Sequence, residues 1–448
     1  MNKQYDLVII GAGTAAMTAA MPVRAAGWQV AVIDYRPFGG TCALRGCDPK
    51  KMLIGGTSAF DHARRMRGKG LAGDAHIDWA ALMAFKRTFT DPVSIKTEHQ
   101  YKNKGVDTFH GTARFVGKNT LQIGGELLDA KHILIASGAE AIKLNIPGEE
   151  YLINNEGFLE LESLPHRIVL VGGGYIAAEF SHIAARAGAN VTILQHAERM
   201  LTEFDGDLVD WLMPSFKALC IDVKLSTTVE KIEKIGNGYL VFSSRDGKQS
   251  ITEADLVVHA AGRKPAFASM DLLVGGIEIE NGRLTLNEYL QSVSNPSVYA
   301  AGDAAQMGPP LTPVSSHDAK IVAANLLNGN QQKPDYRGVP SVAFTLPPIA
   351  AVGITEADAR KQGLRFKIKS QQTATWFAAQ QQAEPVNGFK VLVDEKTDQI
   401  LGAHLVGPNA DEIINLFALA IRHGLTTQDL KTTMFAYPTG ASDIGSML

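Results

Sequence analysis

Short apolar runs of strand length alternate along the chain with alanine-rich stretches of helical period, a pattern that predicts parallel β-α-β units. Tyr5 to Ile10 reads as a buried strand, Met17 to Ala26 as a helix, and Gln29 to Ile33 as a second strand ending at Asp34. The first strand and the helix are joined by Gly11-Ala-Gly13-Thr-Ala-Ala16. Strand, glycine turn, helix, strand and terminal acid are the parts that hold the ADP half of a dinucleotide. The glycines let the backbone approach a pyrophosphate at the helix N-terminus, Asp34 accepts from ribose hydroxyls, and Ala16 takes the third glycine position.

The pattern returns later. Arg167 to Val171 runs into Gly172-Gly-Gly174-Tyr-Ile-Ala177, then a helix through Ala187 and a strand from Asn190 to Leu194. Two such units imply two dinucleotides, and the common reason to carry both is a resident FAD in the first and an exchanging NAD(P)H in the second. Where an acid would meet the 2'-hydroxyl stands Gln195, followed by His196 and Arg199. Without a carboxylate to repel it, a 2'-phosphate could pair with those two side chains, so NADPH is expected over NADH. Further on, Ser297-Val-Tyr-Ala-Ala-Gly-Asp303 reads as a strand ending in a glycine turn and an acid. Beyond Arg337 the composition changes. Strands from Phe389 to Val393 and Ile400 to Val406, a turn at Asp394 to Asp398 and an amphipathic helix from Ala410 to His423 predict a separate α+β domain. The fold class is therefore α/β: two Rossmann-like dinucleotide-binding domains plus a separate α+β domain.

Composition narrows the function classes. A chain of 448 residues with 45% apolar residues, 20% charged residues and net charge −3 has no basic field for nucleic acid. No apolar run approaches the roughly 18 residues of a membrane span, and the N-terminus lacks a signal-peptide pattern, so a cytoplasmic location is expected. Of only 3 cysteines, Cys42 and Cys47 fall in Gly39-Gly-Thr-Cys-Ala-Leu-Arg-Gly-Cys-Asp-Pro-Lys-Lys51, while Cys220 reads as a small apolar residue. A close pair beside a dinucleotide site, in a chain otherwise nearly free of cysteine, is better explained by electron transfer than by stapling. Cys47 opens a helix-like segment with Pro49 in its first turn, where the positive helix end and Lys50 would stabilise a thiolate.

Together these motifs closely resemble the flavoprotein disulfide reductases, the family of glutathione reductase, dihydrolipoamide dehydrogenase and mercuric reductase. The resemblance runs over essentially the whole chain. Its markers are Gly11-x-Gly13, the block from Gly39 to Lys51, Ala136-Ser-Gly138, Gly172-x-Gly174, Glu179, Ala261-Gly-Arg263, Ala301-Gly-Asp303 and Pro340-Ser-Val-Ala-Phe-Thr345. It implies an FAD-binding domain at 1–145 with 266–335, an NAD(P)H-binding domain at 146–265 and a dimerisation domain at 336–448 that forms a homodimer. It further implies that Cys47 is the thiolate beside the flavin, that Cys42 meets the acceptor, and that Lys50 pairs with Glu179 by the flavin ring. Asp303 would hold the ribityl chain and Asp34 the adenosine ribose, with Gly40, Thr41, Gly138, Gly262 and Gly302 in the cofactor-binding turns. Arg263 carries no expected chemistry.

The chain departs from the family at its far end. Thiol-disulfide reductases of this family carry a histidine that protonates the leaving thiol and a glutamate that holds it; here Phe435-Ala-Tyr437-Pro-Thr-Gly-Ala-Ser442-Asp443 puts Tyr437 and Ser442 in those places. A phenol is a poor proton shuttle at neutral pH beside an imidazole. Mercuric reductases also have tyrosine in this region, which turns the reading toward a thiophilic metal acceptor. Those enzymes usually end in a vicinal cysteine pair, absent from Ser446-Met-Leu448. Arg45 and Asp48 also replace neutral residues, Arg45 favouring an anionic acceptor and Asp48 opposing a thiolate at Cys47. The expected function is an FAD-dependent NAD(P)H oxidoreductase passing electrons through the Cys42–Cys47 disulfide to a disulfide or to a metal ion such as Hg(II). The alternatives are a diaphorase-like quinone reductase, or a redox-sensing flavoprotein whose disulfide controls partner binding.

Overall fold

The computed structural model describes residues 2–448. They form two compact units: the chain up to Lys50 with Phe85–Ile142 and Arg263–Tyr336, and Lys51–Ala84 with Lys143–Gly262 and Arg337–Leu448.

The first unit is built on one sheet. Strands Asp107–His110, Val30–Asp34, Lys3–Ile10 and Glu126–Ile135 lie side by side and parallel. The last is long enough to pair twice: its first half runs antiparallel to Thr120–Ile123, and its second half runs parallel to Val298–Ala300, which brings the chain back from far downstream. Near-continuous Val, Ile, Leu and Ala make these strands fit to be buried on both faces. Helix Thr14–Ala25 supplies Ala15, Ala16, Ala19, Ala20 and Val23 to the same core. Register decides the site. Ile10 stands opposite both Ile33 and Ile135, and Ala300 opposite Ile135, so the segments that follow all emerge along one edge, the carboxyl edge where open α/β sheets hold ligands.

The second unit repeats the motif in a four-stranded parallel sheet ordered Asp222–Lys224, Asn190–Leu194, Arg167–Val171, Leu256–His259. Helix Tyr175–Arg186 follows its glycine turn. A five-stranded antiparallel sheet of Ser341–Ala343, Ile349–Gly353, Ile400–Val406, Gly388–Asp394 and Phe366–Gln372 carries helix Ala410–His423 on its apolar face, through Ile413, Ile414 and Phe417. Residues 51–84 pack with this unit. Leu53, Ile54, Trp79 and Met83 share a core with Phe158 and Phe180, and the Trp79 indole N–H donates to Leu161 O at 2.9 Å. Those four apolar side chains are buried in a segment that is otherwise largely polar and exposed.

A buried ion pair also ties this unit together. Arg186 and Asp61, with side chains 2% and 4% exposed, meet at 2.9 Å. On the same face of the Tyr175–Arg186 helix, Glu179 accepts from Phe344 N–H at 2.9 Å and His182 Nδ1 accepts from Leu346 N–H at 3.0 Å, while Arg186 donates to Leu346 O at 3.0 Å. Among the described residues no helix is long and apolar enough to cross a membrane.

Candidate active site

The two glycine turns have the same local geometry. Gly11 has φ +108°, and a Cβ there would lie 2.3 Å from Ala136 O; Gly172 has φ +111°, and a Cβ there would lie 2.3 Å from Ala260 O. Gly13 and Gly174 then start their helices at ψ −161° and −160°. In the first turn Ala12 N–H donates to Asp34 Oδ2 at 2.8 Å and Arg36 N–H donates to Asp34 Oδ1 at 2.9 Å. Burial raises the Asp34 pKa, against those two amides and the charges of Arg45 and Arg36. Arg45 therefore acts on Asp34, the acid at the strand end of its own unit. Gly40 backs onto the loop so closely that a Cβ would come within 2.4 Å of Gly13 Cα. A cradle of bare backbone at a helix N-terminus, with an acid at the neighbouring strand end, fits the pyrophosphate and ribose of a dinucleotide such as FAD.

At the same sheet edge Gly138 O accepts from Ala266 N–H at 3.0 Å, and the Gly302–Ala304 turn carries Asp303. Burial raises the Asp303 pKa and the Arg263 charge lowers it. Arg263 is itself held by Ala139 O at 2.5 Å. In the second unit Gln195 is buried, its Nε2 donating to Arg199 O at 3.1 Å, and a Cβ on Gly173 would lie 2.7 Å from its side chain. Arg199 donates to the carbonyls of Thr202 and Phe204 at 3.3 Å each, and His196 is exposed at the strand end. Gly262 follows the last strand of that sheet with φ +116°.

Cys42 lies in the short helix Gly40–Arg45, directly after Thr41, and Cys47 is the first residue of helix Cys47–Met66. Both are free thiols. A third residue joins them. The Thr312 hydroxyl donates to Cys42 Sγ at 3.1 Å and lies 3.6 Å from Cys47 Sγ. The Cys47 thiol is pushed down to about 6, first by the hydrogen bond from Cys42, then by Thr312 and the Lys50 charge, with burial and Asp48 opposing. Cys42 is pushed far up, first by the same hydrogen bond and then by burial. The two titrate as a unit, so near neutral pH one proton stays on Cys42 and the charge sits on Cys47. Thr312 was not among the residues expected from sequence. Leu311-Thr-Pro signals a helix start, but not what that start faces.

Tyr437 is 86% exposed and its hydroxyl makes no hydrogen bond among the described residues. Ser442 serves its own turn, its hydroxyl donating to Thr439 O at 2.6 Å.

Residues 5–319 match the family model described as pyridine nucleotide-disulphide oxidoreductase, and residues 339–448 match that family's dimerisation domain. The chain belongs to this family. It is a class I flavoprotein disulfide reductase, an enzyme dependent on FAD and a pyridine nucleotide, with a dimerisation domain that supports a homodimer. It is 34% identical to a mercuric reductase of Bacillus cereus, over 99% of this chain and 71% of that protein. It is 31% identical to a glutathione reductase of Burkholderia cepacia, over 98% of this chain and 97% of that protein. Among solved structures it resembles the HOCl-induced flavoprotein disulfide reductase RclA of Escherichia coli in its Cu(II) complex, with TM-score 0.89 and 29% identity over 100% of this chain and 99% of that one.

Proposed function

We propose that this flavoprotein disulfide reductase takes electrons from NADPH and delivers them through Cys42 and Cys47 to a thiophilic metal ion, Hg(II) or Cu(II), with a small disulfide as the lesser acceptor. The observation that carries the reading is the charge partition at the thiols: a Cys47 thiol pushed down to about 6 beside a Cys42 that keeps its proton. That is the state of a dithiol poised for exchange rather than of a structural pair. Bound FAD would supply the two-electron chemistry that links the nicotinamide to the disulfide. Gly11, Gly13, Gly40 and Asp34 would hold its ADP half, Asp303 its ribityl chain, and Lys50 with Glu179 would tune it. Cys42 would meet the acceptor.

Per turnover one NADPH yields NADP+ as the S–S bond opens to the Cys42 thiol and the Cys47 thiolate. Hg(II) taken by both sulfurs leaves as Hg(0), the S–S bond re-forms, and one proton passes to solvent. Two Cu(II) ions would each leave as Cu(I) instead. Tyr437 in the proton donor's place supports a metal over a disulfide, because a metal held between sulfurs needs no acid to free a leaving thiol. The mercuric reductase relatives and the Cu(II)-bound RclA structure support the same class of acceptor. The neutral Gln195 supports NADPH, with His196 meeting the 2'-phosphate and Arg199 shaping the loop.

The holoenzyme, reduced by NADPH or NADH, is assayed against Hg(II), Cu(II), glutathione disulfide, lipoamide and a quinone. Expected are a long-wavelength charge-transfer band on two-electron reduction and metal turnover that Cys47→Ser abolishes. Full metal turnover by Cys47→Ser would overturn the thiol route. Turnover of the quinone alone would instead establish a diaphorase.

A further inference from the structure

Behind the Gly302–Asp303 turn lies a carboxylate that none of the roles above uses. Asp318 is 0% exposed. Its Oδ2 accepts from Gly302 N–H at 3.1 Å and its Oδ1 accepts from the Tyr336 hydroxyl at 2.8 Å. Burying a carboxyl is costly unless its oxygens find donors, and here both do. Burial raises the Asp318 pKa while the Tyr336 and Gly302 hydrogen bonds lower it. Tyr336 closes the back of the group, its ring so near Gly308 that a Cβ there would lie 2.6 Å away.

The carboxylate joins two elements. Gly302 has φ +67°, and a Cβ there would lie 2.5 Å from Ser315 Oγ, so the turn and helix Thr312–Asn328 are in close contact at Ser315 as well as at Asp318. These two residues are three apart and share a helix face. The same helix begins at Thr312, whose hydroxyl reaches both redox sulfurs. From Thr312 to Asp318 is less than two turns, about 9 Å of rigid helix, so whatever fixes Asp318 fixes Thr312.

We propose that Asp318 is a positioning residue whose single carboxylate holds the Gly302–Asp303 turn in shape for the flavin's sugar chain and sets the register that places Thr312 on the Cys42–Cys47 pair. The inference rests on the FAD and thiolate roles proposed above. Hydrogen-bond logic separates its variants. Asparagine can turn its oxygen to Gly302 N–H and donate from its amide nitrogen to the Tyr336 oxygen, whereas alanine can do neither.

The test uses full-length wild type, Asp318→Asn, Asp318→Ala and Tyr336→Phe. Two quantities are measured: the FAD dissociation constant on reconstituting apoprotein, followed by flavin fluorescence, and the pH midpoint of the charge-transfer band in NADPH-reduced holoenzyme. Asp318→Ala should weaken FAD binding at least tenfold and raise the midpoint, Tyr336→Phe should do both to a smaller degree, and Asp318→Asn should stay near wild type. Unchanged FAD affinity and midpoint in Asp318→Ala, even with a lower melting temperature, would overturn the proposal. If Asp318→Ala does not fold, Tyr336→Phe decides on the same two readouts. A wild type without bound FAD or without the band would instead sink the functional reading, and this inference with it.

Discussion

Thr312 Oγ1 donates to Cys42 Sγ at 3.1 Å across 270 positions of sequence, and the same oxygen lies 3.6 Å from Cys47 Sγ. One hydroxyl proton can serve only one sulfur at a time. It supports Cys42 in the structure and is within reach of Cys47 when the charge there needs a donor. A hydrogen bond to a charged group contributes about 1.5–3 kcal/mol. Thr312→Val should therefore raise the pH midpoint of the charge-transfer band by about one unit, and Thr312→Ser should restore it. An unmoved midpoint in Thr312→Val would remove the hydroxyl from the chemistry.

The pH dependence has a definite sign. Cys47 is pushed down to about 6 from an ordinary thiol value of about 8.5, so its thiolate persists above about 6 and is protonated below. The charge-transfer band should fade as pH falls through that value. Asp48 opposes the thiolate. Asp48→Asn should move the midpoint further down, which a spectrophotometric titration of the reduced holoenzyme would detect.

Asp61 accepts from Arg186 at 2.9 Å in a nearly dry setting. Asp61→Ala leaves a buried guanidinium short of its counter-charge and should cost about 3–5 kcal/mol of stability. Replacing both partners, as Asp61→Leu with Arg186→Met, should recover most of it. Denaturant unfolding followed by circular dichroism compares the three proteins; a double variant no better than Asp61→Ala would contradict the account.

Tyr437 sits in a segment open to solvent in its own subunit. If its phenol limits disulfide turnover, Tyr437→His should raise kcat/KM for glutathione disulfide at least tenfold while leaving Hg(II) reduction within about twofold, imidazole being the better acid near neutral pH. Equal gains for both acceptors would mean that position 437 does not discriminate them.

Gln195 is buried against Gly173. Gln195→Glu puts a carboxylate where a 2'-phosphate would approach, so kcat/KM for NADPH should fall about tenfold or more, with NADH less affected. Steady-state kinetics with the two nucleotides would show it, and a parallel loss for both would mark Gln195 as structural only.

Much of this molecule was legible from local pattern. The glycine turns are local requirements: Gly11 and Gly172 need a positive φ and have no room for a Cβ, so a short stretch of sequence carries the whole specification. The strands from Arg167 to Val171 and Ile400 to Val406, and the helix from Ala410 to His423, formed with the expected bounds, because apolar period and end residues act within a few turns of chain. Packing decided the rest. Residues 51–84 joined the second unit because their apolar side chains complete its core, a preference no local pattern displays. Thr312 and Asp318 acquired their partners because Val298–Ala300 returns to the first sheet beside Ile133–Ile135, delivering a distant helix to the cysteine pair. Sequence by itself determined two glycine turns of dinucleotide-binding type and a close pair of cysteines. Only the tertiary structure decided which hydroxyl and which buried carboxylate attend them, since hydrogen bonds between residues hundreds of positions apart depend on sheet register and not on spacing along the chain.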